Sequence, residues 1–277
     1  MKIFAVLIAA FATMLLLMVV FEKSLIFFPT PYPDGWWEVD EVARGTGCLI
    51  EDVYFSADDG TKLHGWWVRR RDGGGEDPVL LFFHGNAGNL SHRADLLVAL
   101  ARRIGAEVLA VGYRGYGRSE GSPSEEGLFL DARAAWRYAT EHRGVSADRM
   151  VIFGKSLGGA VAIDLATSVI PAGLIVESSF TSIPDMAGAH YPFVPKGLVR
   201  TRMDSLAKIG TIGCPKLFVH SKSDEVVPYA QGRRLFEAAT EPKAFYEVVG
   251  AGHNETSLVG GEAYFDALAV FVEEAVR

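Results

Sequence analysis

Val151-Ile152-Phe153-Gly154-Lys155-Ser156-Leu157-Gly158-Gly159 is the stretch on which the rest of the chain depends. An apolar run with the character of a buried strand stops at Gly154, a serine follows, and a helical pattern rich in small residues (Ala160, Val161, Ala162, Ala166) begins at once. The pattern is a strand, a turn and a helix with serine at the apex. A nucleophile there needs a tight, strained turn that lifts its hydroxyl above the sheet edge. Glycines two before and two after the serine remove the Cβ atoms that would collide as strand and helix close up. The neighbouring Gly-Lys-Ser is not a phosphate loop, because that motif requires a glycine where Arg149 stands.

Working outward, 277 residues with 49% hydrophobic content bury one sizeable core, and alternating strand and helix patterns point to a single large α/β domain. A formal net charge of -7 without a lysine-arginine block argues against nucleic acid as a partner. The two cysteines, Cys48 and Cys214, are too few for a disulfide framework and lack metal-ligand spacing, so packed free thiols are expected.

Residues 3–21 carry no charge, and about 20 apolar residues at ~1.5 Å each are enough for a helix to cross a hydrocarbon core of ~30 Å. A cleavable signal has an apolar region of about 7–15 residues ending in a small-x-small site. Glu22-Lys23-Ser24-Leu25-Ile26-Phe27-Phe28 offers no such site. An uncleaved single-pass transmembrane anchor over residues 1–23 is therefore expected. Lys2 and the terminal amine favour a cytoplasmic N-terminus, which puts the remainder on the non-cytoplasmic side. Residues 24–45, with their prolines and aromatics, form a juxtamembrane linker, either an interfacial leash or an arm packed on the domain.

A hairpin over 50–55 and 63–68 opens the sheet, and the apolar run 79–83 suits a strand buried on both faces. Further strands are expected at 108–111, 150–153, 173–176, 216–219 and 245–249. After the third strand, His84-Gly85-Asn86-Ala87-Gly88-Asn89 can leave backbone N–H groups pointing outward before a helix from Leu90 or Ser91 to about Ile104. The amide of Asn86 or Ala87 is thus one candidate oxyanion donor, and that of Leu157, directly after the serine, is the other. His84 is expected to brace the turn, and Tyr113 and Arg114 the floor of the site. Residues 181–206, with three prolines and Tyr191, Phe193 and Met203, are too irregular for a sheet element and sit where a cap would be inserted.

The loop after the seventh strand supplies Asp224, with Glu225 ranked next, and the loop after the eighth supplies His253. Active groups of a parallel sheet gather outside the carboxyl ends of its strands, so Ser156, Asp224 and His253 share one rim in the order serine, acid, histidine. A lone serine hydroxyl is a poor nucleophile near neutral pH. His253 would take its proton, Asp224 would fix the imidazole tautomer, and no metal or organic cofactor is called for.

With these residues in place, the chain from residue 46 to its end resembles an α/β hydrolase. Three stretches carry a narrower match: His84-Gly-Asn-Ala-Gly-Asn89, Tyr113-Arg-Gly-Tyr-Gly-Arg-Ser-Glu-Gly121 and Gly154-Lys-Ser-Leu-Gly-Gly159. They look like the membrane-anchored, serine-peptidase-like and thioesterase-like group, which includes mammalian protein depalmitoylases and bacterial and fungal alpha/beta hydrolase domain proteins. The resemblance implies the α/β-hydrolase fold over 46–277, with a mostly parallel eight-stranded sheet, helices on both faces and a short cap at 181–206. It also implies a Ser156, Asp224, His253 triad with the Asn86 and Leu157 amides as the oxyanion hole. The mammalian depalmitoylases carry an N-terminal cysteine cluster for lipidation; here an apolar segment stands in its place. The expected activity is cleavage of a small-molecule or lipid-like carboxylic ester or thioester with an apolar acyl part. A peptidase or amidase of the same fold, and a non-enzymatic membrane scaffold, are the alternatives. The sequons Asn89-Leu-Ser91 and Asn254-Glu-Thr256 are of a kind common by chance.

Overall fold

The computed structural model describes residues 2–277. In chain order its elements are α1 (Lys2–Val20), α2 (Glu22–Ile26), α3 (Val39–Ala43), β1 (Cys48–Ser56), β2 (Lys62–Arg70), β3 (Val79–Phe83), α4 (Ala94–Ile104), β4 (Glu107–Gly112), α5 (Glu125–Arg137) and β5 (Met150–Lys155). They continue with α6 (Leu157–Ala166), β6 (Gly173–Glu177), α7 (Ile183–His190), α8 (Ser205–Ile209), β7 (Lys216–His220), α9 (Tyr229–Ala238), β8 (Lys243–Glu247) and α10 (Thr256–Ala275).

The eight strands form one sheet in the order β1-β2-β4-β3-β5-β6-β7-β8. The β1–β2 and β2–β4 pairs are antiparallel, and every pair from β4 to β8 is parallel. Because side chains alternate along a strand, β3 feeds both faces. Leu81 and Phe83 belong to the core on the face covered by α5, α6 and α9, while Leu80 and Phe82 belong to the core on the face covered by α4 and α10. All five β3 side chains are buried, as the unbroken apolar run requires. This is the eight-stranded, mostly parallel sheet with helices on both faces that the motif resemblance implied. Cys48 and Cys214 are free and buried.

Two expected bounds shift. The last strand is Lys243–Glu247 rather than 245–249. Val248 still donates its N–H to the His220 carbonyl at 3.0 Å, but Val249 is 79% exposed and Gly250 turns the chain away at φ 78°. The apolar character of these valines extends beyond the pairing. The helix after the third strand also begins later, with a 3-10 turn over Leu90–Arg93 preceding α4.

The N-terminus is a single apolar helix of 19 residues with no fully buried position. Residues 26–37 do not trail free of the domain. Thr30 donates to the Gly88 carbonyl at 3.1 Å and accepts from Gly117 N–H at 2.9 Å, Tyr32 donates to Gly117 at 2.8 Å, and the Trp36 amide reaches Ser91 Oγ at 2.9 Å. Trp37 meets Trp66 edge to face at 5.7 Å. Of the two forms considered for this segment, the docked arm is the one adopted.

Candidate active site

The elbow is built by contacts that only glycine allows. A Cβ on Gly154 would lie 2.2 Å from the Gly158 carbonyl oxygen, and one on Gly158 would lie 2.0 Å from that of Phe83. Strand β5, strand β3 and helix α6 thus approach through bare backbone. Between them Ser156 takes φ 54° and ψ -118°, a conformation L-residues rarely adopt, and its N–H is fixed on the Glu177 carbonyl at 2.8 Å.

The turn presents Ser156 Oγ to His253 Nε2 at 2.9 Å, and His253 Nδ1 meets Asp224 Oδ2 at 2.8 Å. Three side chains from loops 68 and 29 residues apart in sequence therefore form one continuous hydrogen-bonded row. Asp224 is the anchor of that row. Its Oδ1 accepts the amides of Val226 and Val227 at 2.9 and 2.7 Å, and its Oδ2 is also 3.3 Å from His220 Nε2. Burial by itself would raise this carboxyl, but the hydrogen bonds from His220, His253 and the Val227 amide outweigh it and hold Asp224 ionised. Glu225, the second-ranked acid, faces elsewhere: it accepts the backbone N–H of His253 at 3.0 Å and steadies the loop rather than the ring.

Behind the row lies a charged cluster that no local motif announces. Lys155 Nζ is 2.7 Å from Glu177 Oε1 and 2.8 Å from Thr256 Oγ1. Thr256 donates to Glu177 Oε1 at 2.5 Å, and the Tyr264 hydroxyl donates to Oε2 at 2.6 Å. Glu177 is wholly buried, which would raise its carboxyl, yet the Lys155 charge and these donors lower it. The cluster binds the elbow, β6 and the start of α10 together, and so fixes the loop that carries His253.

The candidate oxyanion loop runs directly over the serine, where a Cβ on Gly85 would sit 3.5 Å from Ser156 Cβ. The N–H groups of Asn86 and Ala87 find no acceptor among the described residues, and Leu157 heads α6, where an N–H has no intrahelical partner. All three residues line the same cavity as Ser156. The Asn86 side chain is fully engaged. Its Oδ1 accepts from Phe28 N–H at 3.1 Å and the Tyr116 hydroxyl at 3.0 Å, and its amide donates to the Ile26 carbonyl. The arm that follows α1 is thereby stitched to the loop above the serine. His84 braces this turn through Nδ1 to the Gly85 carbonyl at 2.6 Å, and burial first, with the nearby Arg93 charge, pushes its imidazole down to about 3, so it stays neutral. Tyr113 supports the turn by donating to the His84 carbonyl at 2.8 Å, whereas Arg114 ties α5 to the β1–β2 turn by pairing with buried Asp131 at 2.8 Å and Asp59 at 2.7 Å. Asn89 is spent structurally, its amide donating to the Thr30 and Asp34 carbonyls at 3.0 and 2.8 Å.

Residues 181–206 close on themselves, with Ile183 N–H on the Arg202 carbonyl at 2.9 Å and Leu206 N–H on Thr181 at 3.0 Å. Two carboxylates clip the returning stretch of this segment. Glu22 accepts the amides of Arg200 and Thr201 at 2.9 and 2.6 Å, and Glu125 those of Arg202 and Met203 at 2.7 Å each. Between this segment and the Ser156–His253–Asp224 row lies a cavity of about 700 Å³, walled by Phe180, Ile183, Met186, Val194 and Val227 with Ser156 and His253 at its base. That volume suits an organic ligand, since such sites are commonly roughly 300–1,000 Å³.

Comparison with known proteins gives the same architecture. A family model described as Serine aminopeptidase, S33 matches residues 75–201. An uncharacterized protein of Mycobacterium tuberculosis is 38% identical over 256 residues, covering 91% of this chain and 88% of that protein. The alpha/beta hydrolase domain-containing protein WAV2 of Arabidopsis thaliana is 33% identical over 277 residues, covering 93% of this chain and 89% of its own. In fold, the chain matches the Pyrococcus furiosus esterase Pf2001 with a TM-score of 0.73 over 90% of this chain and 100% of that one, at 18% identity. With this sheet, this elbow and identity of that level across nearly the full length of both relatives, the chain belongs to the alpha/beta hydrolase superfamily.

Proposed function

We propose that the chain is a membrane-anchored serine hydrolase that cleaves a carboxylic ester or thioester with an apolar acyl part. The observation that carries the reading is the Ser156–His253–Asp224 row at the base of an apolar-walled cavity. Ser156 Oγ attacks the acyl carbonyl as His253 Nε2 takes the hydroxyl proton, and Asp224 holds the imidazolium so formed. The developing oxyanion is met by the amides of Asn86 and Leu157, each such donor typically worth about 3–4 kcal/mol. His253 passes its proton to the departing oxygen or sulfur, the C–O or C–S bond breaks, and an acyl-serine remains. Water, deprotonated by the same histidine, then releases the carboxylic acid and restores Ser156. α1 is the anchor in this reading, with its N-terminus cytoplasmic and residues 46–277 on the far side.

The family description favours a second reading, an aminopeptidase. An aminopeptide brings an ammonium that needs a carboxylate near the serine. Among the described residues lining the cavity, Glu22 alone is acidic, and its Oε1 already receives two cap amides. The ester reading therefore has the better chemistry. Under matched conditions an acyl nitrophenyl ester or acyl thioester is expected to turn over at least about a hundredfold faster than an aminoacyl anilide; the reverse order would install the peptidase.

Asn86→Ala keeps the backbone amide but removes three side-chain hydrogen bonds, two to the arm at Ile26 and Phe28 and one to the Tyr116 hydroxyl. Stability is expected to fall by about 1–3 kcal/mol and kcat by about tenfold, read from urea melts and ester hydrolysis. An unchanged kcat would mean that the loop holds its shape without the arm.

A further inference from the structure

α1 is apolar on all sides, yet its sides are not equivalent. Leu15, Met18 and Val19 are half-buried while the other described residues of the helix are exposed, and Glu22 continues the same face one turn later. This i, i+3, i+4, i+7 spacing is a single stripe, and all four residues line the cavity that holds Ser156. The stripe is fastened to the opposite wall, because Glu22 carries the amides of Arg200 and Thr201 in the cap. At ~1.5 Å per residue, Leu15 lies about 8 Å along the helix from Val20. In a helix that spans the bilayer, this part of the wall stands at hydrocarbon depth. Exposed apolar side chains line the cavity from both sides: Leu25 and Phe28 from the arm, and Tyr191 and Leu198 from the cap. A mouth lined this way is costly against water and at ease against lipid.

We propose that the space between α1 and the cap is a lateral acyl groove that takes the long chain of an ester or thioester dissolved in the same bilayer. The chain slides in sideways along the Leu15–Met18–Val19 stripe, and the scissile carbonyl reaches Ser156 without the hydrocarbon tail passing through water. α1 is then a wall of the substrate site as well as a tether, so its removal would open the cavity. The inference rests on the serine-hydrolase reading of Ser156 and on α1 lying in a membrane.

The test uses the full chain in phosphatidylcholine vesicles and a palmitoyl-length fluorophosphonate carrying a diazirine near its tail. Once bonded to Ser156 and irradiated, the probe is expected to cross-link residues 15–22. Labelling of Ser156 with cross-links confined to other elements overturns the lateral groove alone, whereas no labelling of Ser156 removes the hydrolase reading and this inference with it. In parallel, Met18→Trp is expected to lower the palmitoyl-to-butyryl ratio of nitrophenyl ester kcat/KM by at least about tenfold. Leu17→Trp, on the exposed side of the helix, leaves that ratio within about twofold of the parent. The same ratio in both variants contradicts the proposal.

Discussion

Replacing Ser156 by Ala is expected to lower kcat/KM on an acyl nitrophenyl ester by at least about 10⁴-fold, with the unfolding midpoint little changed. The Ser156 hydroxyl has a histidine at 2.9 Å and a buried acid behind that histidine. Removing it takes away the covalent route. The candidate oxyanion amides and the cavity remain, so a small residual rate is expected to survive, as it does when a triad member is deleted from a serine hydrolase. The substitution deletes one oxygen and leaves the elbow glycines and the Ser156 backbone contacts to Glu177 and Ser179 in place. A variant as fast as the parent would remove Ser156 from the chemistry.

Glu177→Ala has the largest expected effect on stability. Glu177 receives Lys155, Thr256 and Tyr264 at 2.5–2.7 Å and is wholly buried. Its loss leaves the Lys155 cation without its partner, and breaking a buried pair in this way typically costs about 3–5 kcal/mol. The Lys155 side chain is 12% exposed at the cavity edge, which favours the lower end of that range. Urea unfolding of parent and variant measures the difference, and a value under about 1 kcal/mol would mean the cluster is not a structural tie. The pH dependence has a definite sign. The folded carboxyl lies below its ordinary value, so its stabilisation is complete above about pH 5. It is lost as pH falls through the lowered folded value, and the gap between parent and variant closes on acidification. Because Thr256 and Tyr264 lose their acceptor together, kcat is also expected to fall as the His253 loop loosens.

The parts of the site that local sequence carries were legible. Ser156, Asp224 and His253 each follow a segment with strand character, and a parallel sheet delivers all such loops to one edge. The elbow glycines were legible for the same reason, since their steric need is met within five residues. What the sequence did not reveal depends on partners distant along the chain. Glu22 meets Arg200 and Thr201, Asn86 meets Ile26 and Phe28, and Glu177 meets Thr256 and Tyr264, pairings separated by about 60 to 180 residues. None has a spacing signature. His220, one residue past the expected 216–219 strand, carries no local signal of its own, although in the fold it ends β7 and lies 3.3 Å from the Asp224 carboxylate. The orientation of α1 was hidden for a different reason. A helix apolar all round has no polar face to mark its outside, and the stripe on the cavity emerges only from the fold. The end of β8 was misplaced because Val248 and Val249 keep strand character past the point where pairing stops.

The central claim is that Ser156 is a nucleophile activated by His253 and Asp224 inside an apolar cavity. Its most direct measurement is fluorophosphonate labelling of the folded chain followed by peptide mass spectrometry. The account predicts a single adduct on the peptide containing Ser156, abolished by Ser156→Ala and strongly slowed by His253→Ala. An unlabelled folded chain, or an adduct on another residue that persists in the Ser156→Ala variant, would contradict it.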